Sequence, residues 1–257
     1  MTQLQFSIVS FYCFINIEDP GLLLPRLLLL CKEKYIKGTI LIANEGINGS
    51  ISGTENNVNI VVNKIKSFLG GNIDLNIKIN YCSYNPFDKL KVKLKNEIIA
   101  LGIGNIDVQS LMGQYIQASD WGDFISQPDC IVIDTRNDYE TNIGAFKNAV
   151  VPNTNTFKQF PHWVHQHKEK LKGKKIAMYC TGGIRCVKST SYLKALGFSQ
   201  VYHLKGGILQ YLADTSNIRN LWQGNCFVFD NRIAVDSNLR PINNCSSVAM
   251  QIRHYYS

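Results

Sequence analysis

The run KKIAMYCTGGIRCVKSTSYLKALG, residues 174–197, constrains the fold more than any other part of this chain. An apolar segment ends at Tyr179 and Cys180, a glycine-bearing loop follows, and apolar residues then recur at helical spacing. A short apolar run bounded by turn residues is typical of a buried strand in a parallel sheet. The run therefore predicts a strand, a tight loop and a helix, with Cys180 at the carboxyl end of the strand, below the amino end of the helix.

Strands and helices alternate through the rest of the C-terminal half. We predict strands at 130–134, around 149–151 and at 201–204, and helices over 157–171 and 187–196. Such alternation is typical of an α/β domain with a doubly wound parallel sheet.

The N-terminal part has a different order of elements. Strand patterns at 6–15, at 39–43, around Ser50 and at 75–79 are separated by two helical patterns, in the order β-α-β-β-α-β. This order predicts a ferredoxin-like α+β domain.

The length of the chain agrees with two domains. Its 257 residues exceed the common domain size of roughly 100 to 150. We divide the chain into a ferredoxin-like domain (1–101), a linker (102–125), a doubly wound domain (126–220) and a C-terminal extension (221–257).

Composition limits the environment of the protein. No apolar stretch reaches the roughly 18 residues that a membrane span needs, and no export signal is recognisable. Eight cysteines are spread thinly through the chain, so we expect free thiols in a reducing cytoplasm. A net charge of +8 favours a polyanionic partner such as nucleic acid.

Lysines alternate with apolar residues at 89–95. Period two puts them on one side of a strand, which we call the lysine face: Lys89, Lys91, Lys93 and Lys95. The lysines either protect an edge strand from aggregation or contact the phosphates of a nucleic acid. The turn NEGING (44–49) is likewise either a hairpin turn or a loop whose Asn44 and Asn48 contact RNA.

Cys180 is the candidate nucleophile. Loop amides and the positive end of the helix dipole stabilise a thiolate here, and Arg185 either adds positive charge beside the sulfur or caps the loop. A lone cysteine is commonly a small buried hydrophobe, but the composition of this loop favours chemistry. The loop residues are Thr181, Gly182, Gly183, Ile184 and Arg185.

Cys186 has two interpretations. It packs within the helix, or it is a resolving thiol that forms a disulfide with Cys180 or accepts its sulfur. A histidine cluster is less informative, because its members do not share one helix face and no cysteine or carboxylate completes a metal site. The cluster consists of His162, His165 and His167, and we predict no metal there.

The pattern Cys-x-x-Gly-x-Arg after a strand resembles the active loop of rhodanese-like domains, where the cysteine carries a persulfide. The segments IDTRNDYE and VYHLKGGI lie where supporting motifs of that family are expected. The resemblance implies that Cys180 is catalytic and that Asp134 and Arg136 only support the loop region. Cysteine phosphatases are disfavoured, because their loops have one more residue between cysteine and arginine.

Five segments together resemble the bacterial rhodanese-containing tRNA uridine hydroxylases: GTILIANEGINGSISG, KLKVKLKNEIIALG, CTGGIRC, VYHLKGGI and CFVFDNRIAV. This resemblance implies hydroxylation of the wobble uridine at carbon five, with the anticodon arm of tRNA as partner and molecular oxygen as co-substrate. No other cofactor is identifiable. Longer relatives carry paired Cys-x-x-Cys motifs in their tail, whereas Cys226 and Cys245 stand alone here, so we propose no zinc.

Two other functions use the same features. A sulfurtransferase would pass persulfide sulfur from Cys180 to a small acceptor, a protein or tRNA. A non-enzymatic RNA-binding protein would keep the domain without its chemistry, but an intact cysteine loop argues against that. The sequence leaves the oligomeric state open.

Overall fold

A computed structural model describes residues 5–104, 106–215 and 221–242. The chain forms two compact units, Met1–Ala100 and Leu101–Ser257. Within the described ranges, no helix is long and apolar enough to cross a bilayer.

The first unit is a sheet covered by two helices. Its elements are β1 (Phe6–Phe14), α1 (Pro20–Glu33), β2 (Lys37–Ala43), β3 (Gly46–Gly53), α2 (Glu55–Phe68), β4 (Lys78–Cys82) and β5 (Leu90–Leu94). The strands lie in the order β4-β1-β3-β2-β5. All neighbours are antiparallel except β2 and β5, which are parallel.

The core of this unit lies between the sheet and the helices. Ile40 and Ile42 alternate along β2 and pack with Leu27 of α1 and Val61 of α2, all without exposed surface. The strand expected from Leu75 begins at Lys78 instead, because Leu75 is already buried in this core before pairing with β1 starts.

Strand β5 lies at one edge of the sheet. Leu90 and Val92 pack against the core, and all four side chains of the lysine face are exposed. The period-two pattern therefore places the lysines as expected, on the solvent side of an edge strand.

The second unit is built around a parallel sheet. Its elements are α3 (Val108–Leu111), β6 (Gln114–Ile116), α4 (Ala118–Ile125), β7 (Cys130–Asp134), α5 (Asp138–Thr141), β8 (Gly144–Phe146), α6 (Phe160–Leu171), β9 (Lys175–Tyr179), α7 (Ile184–Ala195), β10 (Val201–Leu204), α8 (Gly207–Asp214), β11 (Trp222–Gly224), β12 (Cys226–Phe227) and β13 (Ala234–Val235). A short 3-10 turn, Phe157–Gln159, precedes α6.

The main sheet has the order β6-β10-β9-β7, with every neighbouring pair parallel. The small antiparallel pairs β8–β11 and β12–β13 complete the unit. The strand expected around 149–151 is reduced to one bridge between Val150 and Ile133. Pro152, which follows two residues later, has no N–H to extend the ladder.

The stretch 102–125, interpreted above as a linker, is part of this folded unit. It supplies β6 to the sheet, and Trp121 of α4 is completely buried. The described part of the C-terminal extension is also folded, since Trp222 and Cys226 belong to the same core. Cys245 and the rest of the extension after residue 242 lie outside the described residues.

Candidate active site

The loop between β9 and α7 carries Cys180. Strand β9 ends at Tyr179, and α7 begins at Ile184 after Gly183, whose φ of 97° is in the left-handed region that favours glycine. The Gly183 amide donates a hydrogen bond of 3.1 Å to Cys180 Sγ. The placement expected from the sequence, at a strand end and below a helix start, is therefore observed.

The start of α8, which follows β10, is hydrogen-bonded to the Cys180 loop. The amides of Ile208 and Leu209 donate to the carbonyls of Cys180 (2.9 Å) and Thr181 (3.1 Å). Gly207 has a φ of 70°, and a Cβ there would lie 2.5 Å from the Cys180 carbonyl oxygen. Only glycine allows this close approach of two backbones, which gives the segment VYHLKGGI a defined structural role.

The environment of Cys180 stabilises a thiolate. Burial opposes ionisation, but a hydrogen bond from the Cys186 thiol, the positive charge of Arg185 and the backbone amides of Cys186 and Gly183 outweigh it. Together they lower the pKa of Cys180 from 9.0 to about 5. Burial and the hydrogen bond to Cys180 raise the pKa of Cys186, so Cys186 stays a thiol beside the thiolate.

Arg185 is fixed by Glu140, the last residue of the segment IDTRNDYE, for which we predicted no individual role. Its guanidinium donates to both carboxylate oxygens at 2.5 and 2.6 Å, and both side chains are almost fully buried. The Thr181 hydroxyl also donates to Glu140, at 3.3 Å. Burial would raise the pKa of Glu140, but the adjacent Arg185 lowers it, so the pair is ionised.

Asp134 and Arg136 form a second buried ion pair. The Arg136 side chain donates to both Asp134 oxygens, with the shortest distance 2.7 Å. It also donates to the carbonyls of Gly144 (2.6 Å) and Glu140 (3.3 Å). These contacts tie α5 and β8 to the end of β7.

An aromatic cluster lies beside the loop. The Arg185 guanidinium carbon is 5.8 Å from the centre of the Phe229 ring. Phe227 packs edge-on against both Phe229 (5.1 Å) and Tyr139 (5.3 Å). These aromatics are 42 to 46 residues from Arg185 in the sequence, so no local pattern predicts that they lie beside it.

Cys180 has no exposed surface, and Arg185 and Cys186 are almost fully buried as well. In this conformation the sulfur is therefore not accessible from solvent. A separate pocket of about 450 Å³ lies beside β7, lined by Ile125 and Cys130 among others, and the Cys180 loop does not contribute to it.

The candidate RNA-binding residues all lie in the first unit. The Asn44 and Asn48 amides donate to the carbonyls of Ile17 (3.1 Å) and Ile98 (2.9 Å), and the Glu45 carboxylate accepts from the Ile98 amide (2.7 Å). These bonds fix the turn between β2 and β3, which is the hairpin interpretation. The lysine face remains fully exposed to solvent.

The histidines of α6 have packing partners. His165 hydrogen-bonds the Tyr192 hydroxyl at 2.9 Å, and His167 stacks on Trp163 with ring centres 4.5 Å apart. Among the residues that the structure describes, no group of three or more His, Cys, Asp or Glu side chains could hold a metal ion.

Comparison with protein families supports both halves of the fold. The family described as UPF0176 acylphosphatase like domain matches residues 6–98, and the rhodanese-like domain family matches residues 118–214. The predicted fold class, a ferredoxin-like domain followed by a rhodanese-like parallel-sheet domain, is confirmed. Fold and cysteine loop together define a protein with a rhodanese-like domain.

Curated relatives are similar over nearly the whole chain. The tRNA uridine(34) hydroxylase of Rickettsia rickettsii is 60% identical over 93% of this chain and 96% of its own length. The Rickettsia conorii and Rickettsia bellii proteins of that name are 59% and 57% identical, over 93% and 92% of this chain and 96% and 95% of theirs. The chain belongs to the tRNA uridine(34) hydroxylase family.

Proposed function

We propose that this protein hydroxylates uridine 34 of tRNA at carbon five, with molecular oxygen as co-substrate and Cys180 as the reacting group. The observation that carries the proposal is the 60% identity, over 93% of the chain, to a relative named tRNA uridine(34) hydroxylase. The similarity extends through the first unit, which a sulfur carrier would not need. Hydroxylation is therefore better supported than sulfur transfer.

The loop geometry supports a sulfur nucleophile. A thiolate is far more nucleophilic than a thiol, and Cys180 has the hydrogen bonds and the adjacent cation that favour ionisation at neutral pH. The ion pair with Glu140 holds the guanidinium of Arg185 in place. The positive charge of Arg185 itself favours the thiolate of Cys180.

The oxidation also needs electrons. Converting C–H to C–OH with dioxygen puts one oxygen atom into the nucleoside and releases the other as water, which consumes two further electrons and two protons. We assign the two electrons to Cys180 and Cys186, whose sulfurs join in a disulfide. The Cys186 thiol supplies one of the two protons, and the other comes from solvent because Cys180 is already a thiolate. An external dithiol then reduces the disulfide, and Cys186 acts as the resolving thiol.

The anticodon arm of tRNA is the proposed partner. A net charge of +8 and the exposed lysine face favour binding to phosphates. The seven cysteines within the described residues are all free thiols, which suits a reducing cytoplasm as the place of the reaction.

The proposal is tested on tRNA from cells that lack this protein. Complementation with the unchanged chain is expected to restore 5-hydroxyuridine derivatives in nucleoside mass spectrometry, and Cys180→Ser is expected to restore none. A serine hydroxyl keeps the size of the side chain but does not ionise at neutral pH. Restoration of thiolated nucleosides instead would support the sulfurtransferase alternative.

A further inference from the structure

One aromatic ring beside the site is exposed to solvent. Phe229 is 51% exposed. Among the described residues of the second unit, no other Phe, Tyr or Trp side chain is exposed. Leaving a large apolar ring in water forgoes the free energy of burial, so a ring in this position needs an explanation.

The chain on both sides of Phe229 is held by buried contacts. Its neighbour Val228 is buried, and the Val228 amide donates to the Ile233 carbonyl at 2.8 Å. Asp230 and Arg232 close the adjoining turn with a buried ion pair of 2.6 Å. The Phe227 ring contacts Phe229 edge-on. Phe229 therefore projects an exposed ring from a well-packed segment.

The position of the ring indicates what it binds. Phe229 lies over the guanidinium of Arg185, whose charge favours the Cys180 thiolate. An exposed aromatic ring beside the site suits a nucleobase, because bases stack on aromatic faces. A base that leaves its stack in RNA loses stacking energy, and a protein ring can replace it.

We propose that Phe229 is the stacking platform for the nucleobase that is presented to Cys180, and so a positioning residue of the reaction. This inference rests on the proposed function and specifies how the site holds its RNA substrate. The alternative is that the ring only packs against Arg185 and takes no part in binding.

Two substitutions separate these possibilities. Phe229→Leu keeps an apolar side chain but removes the aromatic face, whereas Phe229→Trp keeps the face and adds a fluorophore. The control is Tyr35→Leu in the first unit, where the aromatic side chain is 83% exposed and lies outside the rhodanese-like domain. The Cys180 thiolate is titrated in every variant to establish that the loop is unchanged.

Phe229→Leu is expected to lower kcat/KM for tRNA roughly tenfold, mainly through KM, since stacking of one base is lost. Phe229→Trp and Tyr35→Leu are expected to stay near the unchanged protein. Binding of a uridine-containing anticodon stem-loop should quench the tryptophan fluorescence of Phe229→Trp more than that of the parent protein. The control for this quenching is the same stem-loop with an abasic site at position 34.

The outcomes distinguish the inference from the function on which it rests. If the unchanged protein hydroxylates tRNA and Phe229→Leu does so with the same kcat/KM, the stacking role is refuted. If the unchanged protein makes no hydroxylated product, the proposed function fails, and the quenching experiment alone decides the stacking role. Equal quenching by the intact and the abasic stem-loop would refute the stacking role of Phe229.

Discussion

Replacing Arg185 by glutamine perturbs two charges in one step. The substitution leaves Glu140 as a buried carboxylate without its cation, and it removes the positive charge beside Cys180. Removing one partner of a buried ion pair costs about 3–5 kcal/mol, and both side chains here are almost fully buried, so no discount for solvent applies. We expect the free energy of unfolding to fall by that amount at neutral pH.

The second substitution of a double-mutant cycle isolates the charge effect. Adding Glu140→Gln to Arg185→Gln removes the uncompensated carboxylate, so most of the lost stability should return. The pKa of Cys180 should stay raised in this double variant, because no cation has been restored. Urea unfolding measures the stability, and the ultraviolet absorbance of the thiolate against pH measures the pKa.

The pH dependence of the free energy of unfolding tests the same charge effect. Glu140 has a lowered pKa in the folded protein, so its contribution is complete above its ordinary pKa of 4.5 and is lost as the pH falls below that. In Arg185→Gln the carboxyl instead protonates more readily than normal, so the destabilisation should shrink on acidification. Stability losses that simply add in the double variant would refute the argument from charge.

Four other predictions follow from the site. Cys180 should titrate near pH 5. Cys31 serves as the control, because burial raises its pKa to about 12 and it should not titrate in that range. A titration midpoint of Cys180 near 9 would contradict the stabilised thiolate. Cys186→Ser keeps a hydrogen-bond donor but cannot form a disulfide, so turnover should fall at least about tenfold, and normal turnover would mean that Cys186 only packs. Gly207→Ala should raise the pKa of Cys180 and destabilise the loop. The control is Gly197→Ala, which is also at positive φ but would meet no atom within 4 Å. It should lower the free energy of unfolding only by the roughly 1–2 kcal/mol of a left-handed residue. Changing two members of the lysine face to glutamine should reduce the log-log salt slope of tRNA binding by about 0.7–0.9 per lost phosphate contact, and an unchanged slope would assign the lysines to edge protection.

Local patterns in the sequence predicted the elements that depend on neighbouring residues. Apolar runs and glycines placed the β9–α7 loop, and period two placed the lysine face on a solvent-exposed edge strand. The pattern failed around 149–151, where Pro152 stops the ladder after one bridge. It also failed at 102–125, because polar turn residues there conceal an edge strand and the buried Trp121.

The contacts that complete the site join distant parts of the chain. Glu140 meets Arg185 across 45 residues, and Phe229 reaches Arg185 from the C-terminal extension. No local sequence pattern predicts these two contacts, because they depend on how the sheet brings β7, β9 and the later strands together. The role of Gly207 has the same origin, since only the packed structure reveals the carbonyl that its missing Cβ would strike.

The central claim is most directly tested with purified protein, an unmodified tRNA transcript, a dithiol reductant and oxygen-18-labelled dioxygen. Nucleoside mass spectrometry then locates the label. We predict one labelled oxygen in 5-hydroxyuridine at position 34 with the unchanged protein and none with Cys180→Ser. Unlabelled product, product at another position, or equal product from Cys180→Ser would contradict the account.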